Sequence, residues 1–192
     1  MGKRLIRAAS TVVVFDPQGE YGRVLDRAPV STVEAVVDRL RREWPKRQGR
    51  VVFIPRAGVE AEELSRLSKA LKQIQDLTGR KRVVTLLVEE LNLSFPVTAL
   101  KAEINGFAEL CSRGRHYKID LIGISQRPAE VSTRFRGNES ERYIFPLADP
   151  RDLATASAML GGQHKEALRT LKVHQYLRWR DGAISTGKNR LS

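Results

Sequence analysis

The chain has 192 residues, enough for one domain with a self-sufficient core, and its 41% hydrophobic and 29% charged composition is that of an ordinary globular protein. Its 34 Lys and Arg against 22 Asp and Glu leave a net charge of +12, a surface that attracts polyanions, nucleic acid first and an anionic membrane second. No apolar run approaches the roughly 18 residues of a spanning helix, no signal-peptide core follows the basic N-terminus, the lone Cys111 has no disulfide partner, and His116, His164 and His174 lack zinc-site spacing.

Thr11 to Asp16 (TVVVFD) is apolar, β-branched and closed by Asp-Pro, which predicts a buried strand ending in a turn. Ser31 to Trp44 follows with helical spacing, Ser31 and Glu34 reading as a capping box and Val33, Val36, Val37 and Leu40 as one face. Arg50 to Pro55 is a second buried strand. Glu60 to Leu77 is a long amphipathic helix with Leu64, Leu67, Leu71 and Ile74 as its stripe and Gly79 placed to end it. Arg82 to Val88 makes a third strand, stopped by two carboxylates. A helix from about Val97 to Ser112 then leads to a fourth strand, Lys118 to Ser125, and Arg142 to Pro146 is a fifth. Helical segments are expected at Pro150 to Leu160 and Gln163 to Leu171, and the tail alternates around Asp181-Gly182 as a closing hairpin.

Apolar strands separated by amphipathic helices predict an α/β domain, a mostly parallel sheet covered on both faces. The segment Arg134 to Glu141 reads as an ordered loop, so one domain over residues 1–192 is expected. In such folds ligands bind beyond the carboxyl ends of the strands. There the first strand carries Asp16-Pro17-Gln18-Gly19-Glu20-Tyr21, the third Glu89-Glu90, and the fourth Ser125-Gln126-Arg127-Pro128.

Four or more apolar residues running into two carboxylates match the Walker B pattern, in which the first acid serves Mg²⁺ and the next orients or deprotonates the attacking water. Side chains alternate along a strand, so adjacent carboxylates can serve both jobs only where the backbone turns. Glu89 is then the metal-side residue and Glu90 the catalytic one. Gln126, at the end of the next strand, is suited to sensing the γ-phosphate or positioning water.

Taken in order, VVVFDPQGEY, TLLVEELN and RGRHYKIDLIGISQRPAEV resemble the HerA/FtsK superfamily of DNA-pumping ATPases. Within it, the small size is similar to the genome-packaging ATPases of tailless icosahedral viruses with an internal membrane. The resemblance runs from about Leu5 to Asp152. It implies a three-layer, RecA-like P-loop NTPase fold with a C-terminal β-hairpin, ATP and Mg²⁺ as cofactors, and Asp16, Glu20 and Glu89 on the nucleotide side. It further implies a homo-oligomeric, hexameric ring acting on double-stranded DNA, with capsid vertex proteins as partners, in host cytoplasm or virion. The pattern departs from the family at one place. GxxxxGK[ST], whose backbone N–H groups cradle phosphate, occurs nowhere in the chain. Gly2-Lys3 is followed by Arg4 where Ser or Thr should stand, and nothing helical follows Ser185-Thr186-Gly187-Lys188. The family's helix aligns with Arg4 to Ser10, so the expectation is a loop upstream of Met1 or a lineage that has lost it.

Ring ATPases of this kind insert an arginine from a neighbouring subunit to stabilise charge on the γ-phosphate. Arg115 is the preferred finger and Arg113 the second choice. The segment Gln163 to Ser192 carries seven basic residues against two acidic, and Arg169, Lys172, Arg178, Arg180, Lys188 and Arg190 are its candidate DNA contacts. Two other readings stay open: a P-loop-lacking, non-hydrolysing DNA-binding or assembly subunit, and a Mg²⁺-dependent nuclease using Asp16, Glu89 and Glu90.

Overall fold

A computed structural model describes residues 6, 9–46, 49–98 and 100–189. They belong to two compact units, Met1–Ser125 and Gln126–Ser192.

The first unit is built on four parallel strands, β1 (Thr11–Phe15), β2 (Gly49–Phe53), β3 (Val84–Val88) and β4 (Ile119–Gly123), in the order β2-β1-β3-β4. Val12, Val13, Val14 and Phe15 of β1 are all 0% exposed, as expected for a central strand covered on both faces. On one face Val12, Val14, Val52 and Leu87 pack with Ile6 and with Tyr21 and Leu25 of a short helix, α1 (Tyr21–Leu25). On the other, Phe15 and Phe53 meet edge to face across the β1–β2 pair. That side carries α2 (Val33–Glu43) and α3 (Glu60–Leu77), with α4 (Leu91–Ser94) and α5 (Gly106–Arg113) following β3.

The strands and α3 match their sequence expectations closely, and three details differ. The cap of α2 is Thr32, whose Oγ1 accepts from the Ala35 N–H at 3.2 Å; the expected Ser31 box is one residue early, and Glu34 pairs instead with Arg66 at 2.8 Å. The fourth position of the α3 stripe is only half-buried at Ile74, whereas Gln75 is fully buried. Its Nε2 donates to the carbonyls of Arg82 (2.8 Å) and Lys118 (2.9 Å), tying the helix end to the entries of β3 and β4. The expected helix from Val97 to Ser112 is broken: α5 begins at Gly106, and a 3-10 turn, Ala102–Ile104, lies ahead of it.

A close approach marks the observed start. Gly106 N–H donates to Ser65 Oγ at 2.9 Å, and a Cβ at Gly106 would lie 2.6 Å from the Ser65 carbonyl oxygen. Gly106→Ala should therefore destabilise the protein by about 1–3 kcal/mol through overpacking, despite alanine's higher helix propensity. A melting temperature equal to or above that of the parent chain would contradict this contact.

The second unit pairs β5 (Glu141–Ile144), β6 (Gln175–Arg180) and β7 (Ala183–Lys188) in an antiparallel sheet. The fifth strand thus pairs with the expected hairpin and not with the parallel strands. Ile144, Leu177 and Trp179 pack on α7 (Pro150–Leu160) and α8 (Lys165–Arg169), which follow a short α6 (Thr133–Arg136). The helix expected over Gln163 to Leu171 is the shorter α8 preceded by a 3-10 turn, Gly162–His164. The hairpin turns where expected, with Asp181 and Gly182 at φ 50° and 81°, the pair of positive values of a two-residue type I′ connection.

Candidate nucleotide site

The strand order creates the site. From β1 the chain passes to β2 on one side, and from β3 it passes to β4 on the other, so the connections diverge between β1 and β3. This is the topological switch point at which open α/β sheets bind ligands. Phe15 and Val88 are register partners there, which places Asp16 and Glu89 next to each other at the strand ends, and Glu89 N–H donates to the Phe15 carbonyl at 3.0 Å. Alternation carries both side chains to the face shared by Val14 and Leu87.

Asp16 is 0% exposed. Its Oδ2 accepts from the Tyr21 N–H at 2.8 Å, satisfying the first donor of α1. The turn in between is closed by Gly19 N–H on the Asp16 carbonyl at 3.2 Å, with Gly19 at φ +72°, a left-handed value that favours glycine. Asp16 Oδ1 is buried without a hydrogen-bond partner among the described residues. Burial, reinforced by the charges of Glu89, Asp16 and Glu20, pushes the Tyr21 phenol well above its usual range. Tyr21 is the residue that sequence reasoning misses: it stands in the D-P-x-G-E-Y run, but its burial depends on α1 folding back over the sheet.

Glu90 occupies the left-handed region at φ 47°, ψ 51°. For a non-glycine residue this costs of order 1–3 kcal/mol and is held only where the surroundings demand it. Here the demand is visible: the ladder ends, Leu91 N–H donates to Ile124 O at 2.8 Å, and α4 starts immediately. The kink takes Glu90 out of strand alternation, the condition for two successive carboxylates to act at one edge. Asn92 and Ser125 brace it, Ser125 Oγ donating to Asn92 Oδ1 at 2.7 Å; nothing in the sequence pairs these two.

Two oxygens from adjacent strand ends fit a hard divalent cation such as Mg²⁺, which takes one or two carboxylates and fills its remaining positions with water and phosphate. Among the described residues no group of three or more His, Cys, Asp or Glu could hold a metal by itself. Asp16, Glu89 and Glu90 therefore do not form the three-carboxylate centre that the nuclease reading needs.

Arg113 and Arg115 are exposed and precede β4, at the opposite end of the strands from Glu89 and Glu90. A five-residue strand spans about 16 Å, so neither arginine reaches the carboxylates of its own chain.

In the second unit Gln126 is exposed. Arg127 is engaged with Asp152 at 3.2 Å, Asp149 at 3.3 Å and Glu130 at 3.4 Å, so the Gln-Arg-Pro run is clamped through its arginine. Of the candidate DNA contacts, Arg169, Lys172, Arg180 and Lys188 are exposed. Arg178 pairs with Glu141 and lies over the Tyr143 ring, and Arg180 pairs with Asp181 at 3.4 Å. Arg190, like Gly2 and Lys3, lies outside the described residues. No helix is long and apolar enough to cross a membrane among the described residues.

No family model and no curated protein matches the chain. Solved structures do. The genome packaging NTPase B204 from Sulfolobus turreted icosahedral virus 2 in complex with AMPPCP superposes with a TM-score of 0.75 at 17% identity, covering 100% of this chain and 89% of that one. The same protein in complex with ATP-gammaS gives 0.75 at 18% identity, over 99% and 88%. B204, the DNA-packaging ATPase from Sulfolobus Turreted Icosahedral Virus, gives 0.72 at 17% identity, over 99% and 88%. This chain has the α/β fold of those viral packaging ATPases, helices flanking a mostly parallel sheet with an antiparallel hairpin at its C-terminal end.

Proposed function

We propose that the chain is a motor subunit of the HerA/FtsK type that translocates double-stranded DNA with ATP, in packaging a viral genome. The observation that carries this reading is the placement of Asp16 and Glu89 side by side at the switch point, with Glu90 kinked out of the strand. The packaging-ATPase fold supports it. Mg²⁺, when bound, would neutralise charge on the phosphates. Glu89 is the carboxylate to hold it, and Asp16 stands behind as a buried acceptor. Glu90 takes the proton of the attacking water, and Gln126 senses the γ-phosphate. Arg115, with Arg113 as second choice, serves the site of the next subunit, since it is too far from its own. That requirement favours a homo-oligomeric ring, for which six subunits is the proposed number, seated at a capsid vertex. A non-hydrolysing subunit of the same fold is the second reading, favoured by the missing GxxxxGK[ST] pattern.

Duplex DNA binding tests both. With cationic charge spread over many Lys and Arg, affinity should be independent of sequence and should fall steeply with salt, the log–log slope near −0.9 per phosphate contact. Fluorescence anisotropy on two unrelated duplexes at several salt concentrations measures it. A shallow slope, or clear preference for one duplex, would contradict the translocase reading.

A further inference from the structure

Resting on that reading, we infer that the duplex is held by the edge of the first unit formed by the entries of β2, β3 and β4, not principally by the C-terminal segment. Apart from the finger candidates Arg113 and Arg115, the edge gathers seven Lys and Arg: Arg41, Arg42 and Lys46 around the end of α2, Arg80, Lys81 and Arg82 ahead of β3, and Lys118 ahead of β4. Side-chain contacts join these segments to each other. Arg82 lies over the Trp44 ring at 5.4 Å and donates to the Trp44 carbonyl. Arg80 lies over Tyr117 at 4.8 Å and contacts His116 Nε2 at 2.7 Å. Gln75 bridges the backbones of Arg82 and Lys118.

Three helices, α2, α3 and α5, end at this edge, and helix ends alone attract cations. Each supplies only about half a negative charge, roughly −1.5 in all. Apart from Glu109, which Lys72 neutralises at 2.7 Å, four carboxylates belong to the same region, and three are already engaged: Asp38 with Arg41, Asp76 with Arg80, and Glu43 with the Arg50 N–H. The fourth, Asp120, is exposed on β4. Seven cations exceed both together by about one to two charges, so compensation of the helix ends does not account for the whole surface.

Its shape suits a duplex. Four strand entries at ~4.8 Å spacing span about 14 Å, close to the roughly 12 Å width of the major groove, so cations at the two ends can meet phosphates flanking one groove. Stacking on Trp44 and Tyr117 holds Arg82 and Arg80 in place, which lowers the ordering cost of binding. Arg42, Lys46, Lys81 and Lys118 are exposed. An anionic bilayer would call for an apolar face as well, and the exposed large apolar residues near this edge are Leu77 and Val83. Each surface commits two arginines to ion pairs, Arg178 and Arg180 in the C-terminal segment and Arg41 and Arg80 at this edge, and among the described residues the edge keeps more cations beyond them.

The experiment titrates duplex DNA with four forms of the chain at several salt concentrations, each checked by thermal melting. One form is the parent. The second carries Arg42→Gln, Lys46→Gln, Lys81→Gln and Lys118→Gln, and the third Arg169→Gln, Lys172→Gln and Lys188→Gln. The edge variant should lose at least tenfold in affinity and about 3–4 units of salt slope, while the C-terminal variant stays within about threefold of the parent. A fourth form, with Arg42→Lys, Lys46→Arg, Lys81→Arg and Lys118→Arg, keeps the charge and should bind as the parent does. The opposite pattern, an unaffected edge variant and a defective C-terminal variant, overturns this surface and leaves the translocase reading standing. Failure of the parent chain to bind duplex at all overturns both.

Discussion

In a form of the protein that hydrolyses ATP, Glu90→Gln should lower turnover by 10²–10⁴-fold, as loss of a general base does, while nucleotide still binds. The substitution keeps size and hydrogen-bonding capacity. It also keeps the left-handed backbone at φ 47° as costly as before, because neither Glu nor Gln is favoured there, so stability should hardly move. Glu89→Gln is the contrasting variant. It should weaken Mg²⁺-dependent nucleotide binding first and turnover as a consequence, so the two are separated by measuring nucleotide affinity with and without Mg²⁺ beside phosphate release. Retention by Glu90→Gln of more than about a tenth of the parent rate would remove Glu90 from the role of base.

The strand end that those two proposed roles need is legible in the sequence because it follows from strand geometry. A continuous apolar run predicts a buried strand, and two carboxylates at its end can share an edge only across a turn. The kink at Glu90 supplies that turn. The pairing of Glu89 with Asp16 is not legible: the two are far apart in sequence, and their adjacency depends on β1 and β3 being neighbours in the sheet. Periodicity reports which faces are apolar and is silent about which strand lies beside which. Gly106 marks a different limit. Its neighbours read as helical, and the helix start at Gly106, packed against the Ser65 carbonyl, becomes visible only in the fold. Gln75 marks a third. It falls beside an apolar stripe, and its burial becomes intelligible only once the carbonyls of Arg82 and Lys118 are seen to need a donor. The C-terminal charge count, finally, treats all cations alike, whereas folding commits Arg178 to Glu141 and leaves Lys188 exposed.

The 192-residue chain should not release phosphate from ATP above background, with Mg²⁺ and with or without duplex DNA. The carboxylate edge is in place, but a GxxxxGK[ST] loop contributes three things together: a cradle of backbone N–H groups, a lysine on the phosphates and a hydroxyl for Mg²⁺. Acidic side chains cannot replace them. Asp16, Glu20, Glu89 and Glu90 bring negative charge to one edge, and a triphosphate facing that edge without a cradle meets net repulsion. Nor can an arginine from a neighbour compensate, because stabilisation of the transferring phosphoryl group requires it to be held in line. The chain should nevertheless fold cooperatively, since β1 is already buried between β2 and β3 on this sequence alone. The informative comparison is with a form carrying a GxxxxGK[ST] segment ahead of Met1, both assayed for phosphate release across a range of DNA concentrations. The expected outcome is a silent 192-residue chain and a DNA-stimulated extended one. An extended form that binds duplex but stays silent would favour the non-hydrolysing subunit, and robust Mg²⁺-dependent turnover by the 192-residue chain would mean that some other segment cradles the phosphates.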